Sequence, residues 1–532
     1  MPSLSGTEVS QRISSHKLEL ALLAVLCAVA FLAAAWVSES VFDRVPHTED
    51  EAAFLFQAQT IASGNVVADT PPQPEFFSIP FIILRDGMWF GKYPLGFPLV
   101  LALGVLAGQP WLTNATLAAF CVLVIYLLSR RLYEDITAMF AAGLLVASPF
   151  FLLQAGSLLS HIASLFWTLL FLALFPIAKA QRGVVLSLAT GAAIGMLFLS
   201  RPLTAVGIAI PYVVWLLLTI VRQRKIGRSY VIMACGALPF LVIFLGYNVL
   251  TTGSAVHTAY ELWWPFDRLG FGPDTGINGH DLDDGMRNTR VNSNTLATFL
   301  FGWPGRLSLA PAIITVILSL ITLLGRLLRR RRTRSTTPWN GEPSPEAWDL
   351  ILASVVLSLV AIHILYWTPG QMYGPRYYME AVGPLVILSA RGFMQISATV
   401  AVTLTKLAPN VRYPIVTGQA AMLALVVVLT VYAYTQTVPG QFDDFRDWND
   451  INRSGVAVVE AARLDNALVF IARSSWVDYA PFFAQNVPAL DSAVVYASDR
   501  GPEENRVLMD LYPGREFYRY EDGRLARLDS RN

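Results

Sequence analysis

Three consecutive carboxylates, Glu49-Asp50-Glu51, stand shortly after the first long apolar run of this chain. A carboxylate beside a hydroxyl can take its proton, and one beside a cation can anchor it. Charge at a membrane boundary is costly to desolvate, which makes such a cluster a functional candidate. The competing reading is a solvated helix start, in which Thr48 caps and acids in the first turn suit the helix dipole. Cations that could meet these acids lie far along the chain: Lys92 in Gly91-Lys92-Tyr93-Pro94, Arg201 in Ser200-Arg201-Pro202, Arg376 in Gly374-Pro375-Arg376-Tyr377. The planar fork of arginine binds phosphate oxygens two at a time. Two readings stand at this point: the cations pair with Asp50 and Glu51 in a structural network, or they grip a phosphate. His161, after Ser160, reads either as a core histidine or as a phosphate or acceptor contact.

The elements that must position these residues are set by composition. The chain has 532 residues, 54% hydrophobic and only 14% charged, where a soluble domain carries about 25% charge. Mean hydropathy is +0.50. The expected fold is an all-α polytopic membrane protein with a small C-terminal α/β domain. Runs of about 20 apolar residues mark spans. They fall near 20–37, 111–128, 136–153, 162–177, 184–199, 203–221, 230–250, 307–324, 350–366, 377–396 and 416–432, about 11 in all. The positive-inside rule tests that set. With residues 1–19 in the cytoplasm, the inner loops hold Arg130 and Arg131; Lys179 and Arg182; Arg222, Arg224, Lys225 and Arg228; Arg326, Arg329 to Arg332 and Arg334; and Lys406 and Arg412. Every basic cluster lands on one side. Lys92, Arg201 and Arg376 break that trend.

The membrane domain is expected over 20–436. Its first outer loop, 38–109, should hold an amphipathic helix at 50–62 ended by Gly64, an Asp86-Gly87 hairpin turn and a juxtamembrane helix at 94–108. A second long outer loop, 251–306, carries Trp263, Trp264 and Phe271 and reads as a folded lid or groove. The basic stretch 325–347 is a cytoplasmic linker that anchors topology, which excludes nucleic acid as a partner. Residues 437–532 form the extracytoplasmic accessory domain, with helices near 455–464 and 503–511 and strands at 467–472 and 493–497. Cys27, Cys121 and Cys235 all sit in apolar runs and read as small buried hydrophobes.

The acidic pair Asp50-Glu51-Ala52 with its Phe/Gln/Ala helix and Gly64 resembles the first-loop signature of the C-type (GT-C) glycosyltransferases. The nearest branch is that of protein-O-mannosyltransferases and lipid A aminoarabinose transferases. Gly91-Lys92-Tyr93-Pro94-Leu95, Ser129-Arg130-Arg131-Leu132-Tyr133, Leu199-Ser200-Arg201-Pro202, Tyr247-Asn248 with Thr252-Gly253-Ser254, and Gly374-Pro375-Arg376-Tyr377 follow in that branch's order. The resemblance covers roughly residues 18–395. It implies an inner-membrane, multi-pass enzyme moving a sugar from a polyprenyl-phosphate-linked donor to a glycan, lipid or protein acceptor on the outer face. Asp50 would be the base, Glu51 would orient the acceptor or a cation, and Lys92, Arg201 and Arg376 would bind the donor phosphate. His161, Tyr93, Tyr247, Asn248, Trp263, Trp264 and Tyr377 are candidate substrate contacts. Many relatives have a second acid where Ser160-His161 stands here, so a divalent metal is not favoured and no cofactor is expected. The competing classes are a transporter or flippase, which would want ionisable groups at mid-membrane, and a non-catalytic scaffold.

Overall fold

The structure, a computed structural model, describes residues 6–181, 183–333, 343–408 and 410–528. Arg182, Arg334, residues 334–342 of the expected linker and the two chain ends at 1–5 and 529–532 lie outside the described residues. Among the described residues, nine helices are long and apolar enough to cross a membrane. Asp135–Val146 and Pro149–Gly156 form a bent pair that would make a tenth span, and Val184–Ser200 is a shorter apolar helix. Each of the eleven apolar runs falls on one of these.

Two runs differ from the expected spans. The run at 136–153 is not one rod but is bent by 58°. Pro149 lacks the N–H that would continue the first helix, and Ser148 caps the second by accepting from the Phe151 N–H at 3.2 Å. The run at 350–366 ends as a helix at His363, and Tyr366 then pairs with Leu269 across from it.

Val184–Ser200 is short but tightly gripped. Its Gly191 and Gly195 are four residues apart on one face. A Cβ on Gly191 would meet the Met233 carbonyl at 1.9 Å, and one on Gly236 of the facing helix would meet the Leu188 carbonyl at 2.4 Å. This is the small-residue contact by which membrane helices bring their backbones together.

The first loop is a folded layer rather than a tether. The Glu49–Ala62 helix starts at Thr48, whose Oγ1 accepts from the Glu51 N–H at 3.2 Å. It was expected to be amphipathic, yet it is buried continuously from Glu51 to Ala58. The β2–β3 hairpin (β2 Ile82–Arg85, β3 Met88–Gly91, with β1 Ala68–Asp69 on the outer edge) and the Gly96–Leu106 helix pack on it. Asp86 and Gly87 turn the hairpin with φ of 51° and 78°, the left-handed pair an Asp-Gly turn supplies.

The C-terminal domain covers the rest of that helix. Strands β4 (Ala467–Ile471), β5 (Val494–Ser498), β6 (Glu516–Glu521) and β7 (Arg524–Leu528) form one sheet in the order β5-β4-β6-β7. β4 runs parallel to both neighbours, and β7 returns antiparallel along β6. The Trp476–Phe483 helix and the β6–β7 hairpin were not anticipated from sequence. Phe483 packs on Phe56 at 6.0 Å, Ser498 donates to the Phe76 carbonyl at 3.0 Å, and Asn449 donates to the His47 carbonyl at 3.0 Å. In the second long loop the Leu282–Phe299 helix was also missed, although Asp281 and Asp284 form a capping box at its start.

Candidate active site

Helix ends converge on one cavity of about 850 Å³. The starts of the Glu49–Ala62 and His161–Gln181 helices, the Arg201 turn, the end of Pro345–His363 and the Arg376–Ala381 turn all contribute. Asp50, Lys92, Tyr93, His161, Arg201, Trp264, Arg376 and Tyr377 line it together. These residues are scattered over more than three hundred positions of the chain.

Asp50 sits in the first turn of its helix. Its Oδ1 accepts from the Tyr93 hydroxyl at 2.5 Å and lies 3.4 Å from Arg376 Nη1. Burial pushes this carboxyl upward, but Arg376, Lys92 and the Tyr93 hydroxyl outweigh it, and the net shift is below the usual aspartate range. Glu49 lines the same cavity, and there burial wins and raises the carboxyl. Burial and the Asp50 charge hold the Tyr93 hydroxyl protonated well above its ordinary range.

Lys92 follows β3, its backbone N–H tied to the Phe81 carbonyl at 2.9 Å. Its ammonium sits in a box of aromatic rings: Phe81 at 3.3 Å, Trp264 at 4.3 Å, Tyr93 at 5.4 Å and Tyr260 at 5.6 Å. Ring faces attract a cation but supply no hydrogen-bond acceptors. Burial lowers the Lys92 pKa to about 8, against the upward pull of Asp50 and Asp267.

Arg201 is presented to the cavity by the break between two helices, because Pro202 at the start of the second cannot continue the first. Its Nε donates to Thr204 Oγ1 at 3.2 Å and is 3.4 Å from Glu380 Oε1. Glu380 is fully buried, and neither of its oxygens accepts a hydrogen bond among the described residues. The Arg376 Nε and Nη1 atoms are likewise buried without a hydrogen-bond partner among the described residues; the approach to Asp50 is an ion pair without hydrogen-bond alignment. The Tyr377 ring lies 5.4 Å from each guanidinium and stacks on His363 at 5.6 Å. Both ring nitrogens of His161 are buried and unpartnered among the described residues.

Four expected site residues, Glu51, Tyr247, Asn248 and Trp263, do not line the cavity, and neither does Phe271 of the second long loop. Glu51 points away: its oxygens accept from the His47 N–H and the Leu158 N–H, each at 2.8 Å, and from the Tyr373 hydroxyl at 3.1 Å. Fully engaged in pinning three segments, it has no oxygen aimed at an acceptor. The Tyr247 hydroxyl bridges the Gln57 amide and the Gly91 carbonyl, each at 3.2 Å, and so buttresses the segment leading to Lys92. Asn248 donates to the Ala255 carbonyl at 3.0 Å. Trp263 packs edge-on behind Phe81 at 5.7 Å, and Phe271 is exposed against His280.

The structure adds residues the sequence reading passed over. Asp267 faces the cavity and accepts from Tyr366 at 3.1 Å and Trp367 Nε1 at 2.9 Å. Tyr260, His363, Tyr366 and Trp367 complete the wall. The aromatic run Tyr366-Trp367 at a helix end was the available signal. Among the described residues, no three His, Cys, Asp or Glu side chains gather closely enough to hold a metal ion.

Comparison with known proteins bears on this geometry. Residues 99–247 match the dolichyl-phosphate-mannose-protein mannosyltransferase family. Residues 467–527 match a domain of unknown function, DUF7846. No curated protein sequence matches the chain. The structure is similar to that of ArnT from Cupriavidus metallidurans bound to undecaprenyl phosphate, with a TM-score of 0.50 and 13% identity over 96% of this chain and 97% of that one. The chain has the GT-C glycosyltransferase fold. It is also similar to the oligosaccharyltransferase AglB from Archaeoglobus fulgidus in complex with an inhibitory peptide and a dolichol-phosphate, with a TM-score of 0.50 and 14% identity over 95% of this chain and 69% of that one. The matched family segment includes the Arg201 turn and the His161 helix start, two walls of the cavity.

Proposed function

We propose that this protein is a membrane glycosyltransferase that moves a sugar from a polyprenyl-phosphate donor to an acceptor hydroxyl on the extracytoplasmic face, inverting the anomeric centre. The observation that carries the reading is the meeting of the Asp50 carboxylate with Lys92, Arg201 and Arg376 in a single cavity. The relatives' bound undecaprenyl phosphate and dolichol-phosphate support a lipid phosphate as the ligand of those cations.

The donor phosphate takes the open donors of Arg376 and the ammonium of Lys92, each of which lacks the acceptors a phosphate would bring. Arg201 joins from the Glu380 side. The acceptor oxygen attacks the anomeric carbon, the bond from that carbon to the phosphate oxygen breaks, and the phosphate leaves with the electron pair. The three cations stabilise the charge that grows on it. Asp50 takes the proton from the attacking hydroxyl. Trp264, Trp367, Tyr260 and Asp267 form the wall against which the sugar ring rests. The domain at 437–532 lies outside the membrane with the site.

Asp50→Asn tests the assignment. It should abolish transfer while the purified variant still binds lipid donor; a variant that turns over at the wild-type rate would remove Asp50 as the base.

A further inference from the structure

A second cavity lies in the C-terminal domain, apart from the one above. It encloses about 640 Å³, within the roughly 300–1,000 Å³ span of small-molecule sites. Its walls come from the residues just past three parallel strands: Ala472 and Arg473 after β4, Asp499 and Gly501 after β5, and Tyr520 to Asp522 at the end of β6. The chain leaves β4 for β5 on one side and then crosses to β6 on the other. Open α/β sheets bind ligands in the crevice outside the strand carboxyl ends where the strand order reverses in this way.

The lining says which ligand. Five carboxylates, Asp450, Asp478, Asp499, Glu521 and Asp522, face two guanidiniums, Arg473 and Arg519. Arg519 is already committed, to Asp499 at 2.5 Å and to Glu521 at 2.8 Å. Asp499 is braced further by the Gly501 N–H at 3.0 Å and Asn505 at 2.8 Å, and Asp478 accepts from the Ser474 and Ser475 N–H groups at 2.8 and 3.0 Å, which leaves Asp450 and Asp522 as the exposed carboxylates of the wall outside these contacts. Such a field repels phosphate, sulfate and nucleotide. What it offers is the hydrogen-bond acceptors of Asp450 and Asp522 beside an aromatic floor, where Tyr520 packs on Phe482 at 5.0 Å. Many hydroxyl donors on a ring with an apolar face match that lining.

We propose that this crevice is a saccharide-binding site for an oligosaccharide free of acidic groups. The site stands whether or not the membrane cavity transfers sugar. It opens beside the first loop, since Arg473 donates to the Ser78 carbonyl at 3.4 Å and Asn449, next to the cavity residue Asp450, donates to the His47 carbonyl. A glycan held there is tethered next to the segment that carries Asp50.

The test uses the full-length protein in detergent, without lipid donor, titrated calorimetrically with mannotriose, chitotriose, its de-acetylated amine form and trigalacturonic acid. A neutral or amine trisaccharide should bind with Kd of about 1 mM or tighter, and the uronic trisaccharide should not. The exposed pair Asp450→Asn and Asp522→Asn, which removes the charges but keeps residue types tolerated at these left-handed backbone positions (φ 59° and 46°), should weaken binding about tenfold, and Tyr520→Ala should do the same through the lost aromatic floor. Unfolding temperature, read alongside, separates lost binding from lost fold. Preference for the uronic trisaccharide, absence of binding by all four, or binding unchanged in the Asp450/Asp522 variant but lost in Asp50→Asn would overturn the site.

Discussion

At Asp50, burial is opposed by Arg376, Lys92 and the Tyr93 hydroxyl, and the balance keeps the carboxylate charged. A phosphate that draws Arg376 away leaves Tyr93 as its nearest support. Tyr93→Phe removes a hydrogen bond to a charged group, of about 1.5–3 kcal/mol. It should lower kcat/KM by roughly ten- to a hundredfold at neutral pH on that scale, and shift the acid limb of the pH profile upward; an unmoved limb would deny the coupling. Lys92 gives the alkaline limb. Its ammonium, with a pKa of about 8, attracts the donor phosphate only while protonated. Donor kcat/KM should therefore be full below that pH and fall as pH rises through it. Lys92→Arg should retain activity to higher pH, since arginine stays charged. Glu51, the neighbouring acid, predicts a different phenotype. Glu51→Gln leaves part of a buried, fully bonded carboxylate network unmatched, at a cost of about 1–3 kcal/mol. It should lower the unfolding temperature while donor binding at the cavity, which Glu51 does not line, is retained.

The element that most constrains the site is the turn at Arg201, and it depends on how closely the Val184–Ser200 helix is held. Gly191→Leu would drive a side chain into the Met233 carbonyl. Overpacking of a close contact costs about 1–3 kcal/mol. Thermal unfolding in detergent should show that loss, together with weaker donor binding as Arg201 shifts; an unchanged melting curve would mean the helix pair has slack. At this scale the sequence was readable where a single physical rule dominates. Apolar length marked the nine helices long enough to cross a membrane among the described residues, Asp86-Gly87 gave the hairpin, and Thr48 gave the helix start. It was unreadable where tertiary cover overrides local pattern. Glu49–Ala62 looked amphipathic but is roofed by the hairpin and by Phe483. The kink at Ser148-Pro149 hid inside one apolar run. The Leu282–Phe299 helix was masked by its polar composition, although its capping acids announced it.

Across the whole molecule, order and spacing made Asp50, Lys92, Arg201 and Arg376 visible before any fold was known, because cations at the ends of apolar runs opposite the basic loops need anionic partners. Orientation of individual side chains was not visible. Glu51 and Asp50 are adjacent in sequence yet face opposite ways, since successive positions on a helix lie about 100° apart. Tyr247 and Asn248 recur in an ordered motif but serve as braces. Asp267 and Trp367 approach the cavity from two separate segments, 100 positions apart, a meeting no local pattern encodes. The central claim is that the charges gathered from these distant segments break a sugar–phosphate bond. The most direct measurement is release of free polyprenyl phosphate when the purified protein is incubated with a panel of polyprenyl-phosphate sugars and an acceptor extract. At least one donor should be consumed, with release falling by roughly a thousandfold or more in Asp50→Asn as expected for loss of a general base within a concerted site. No donor consumed across the panel, or equal release by the wild type and Asp50→Asn, would contradict it.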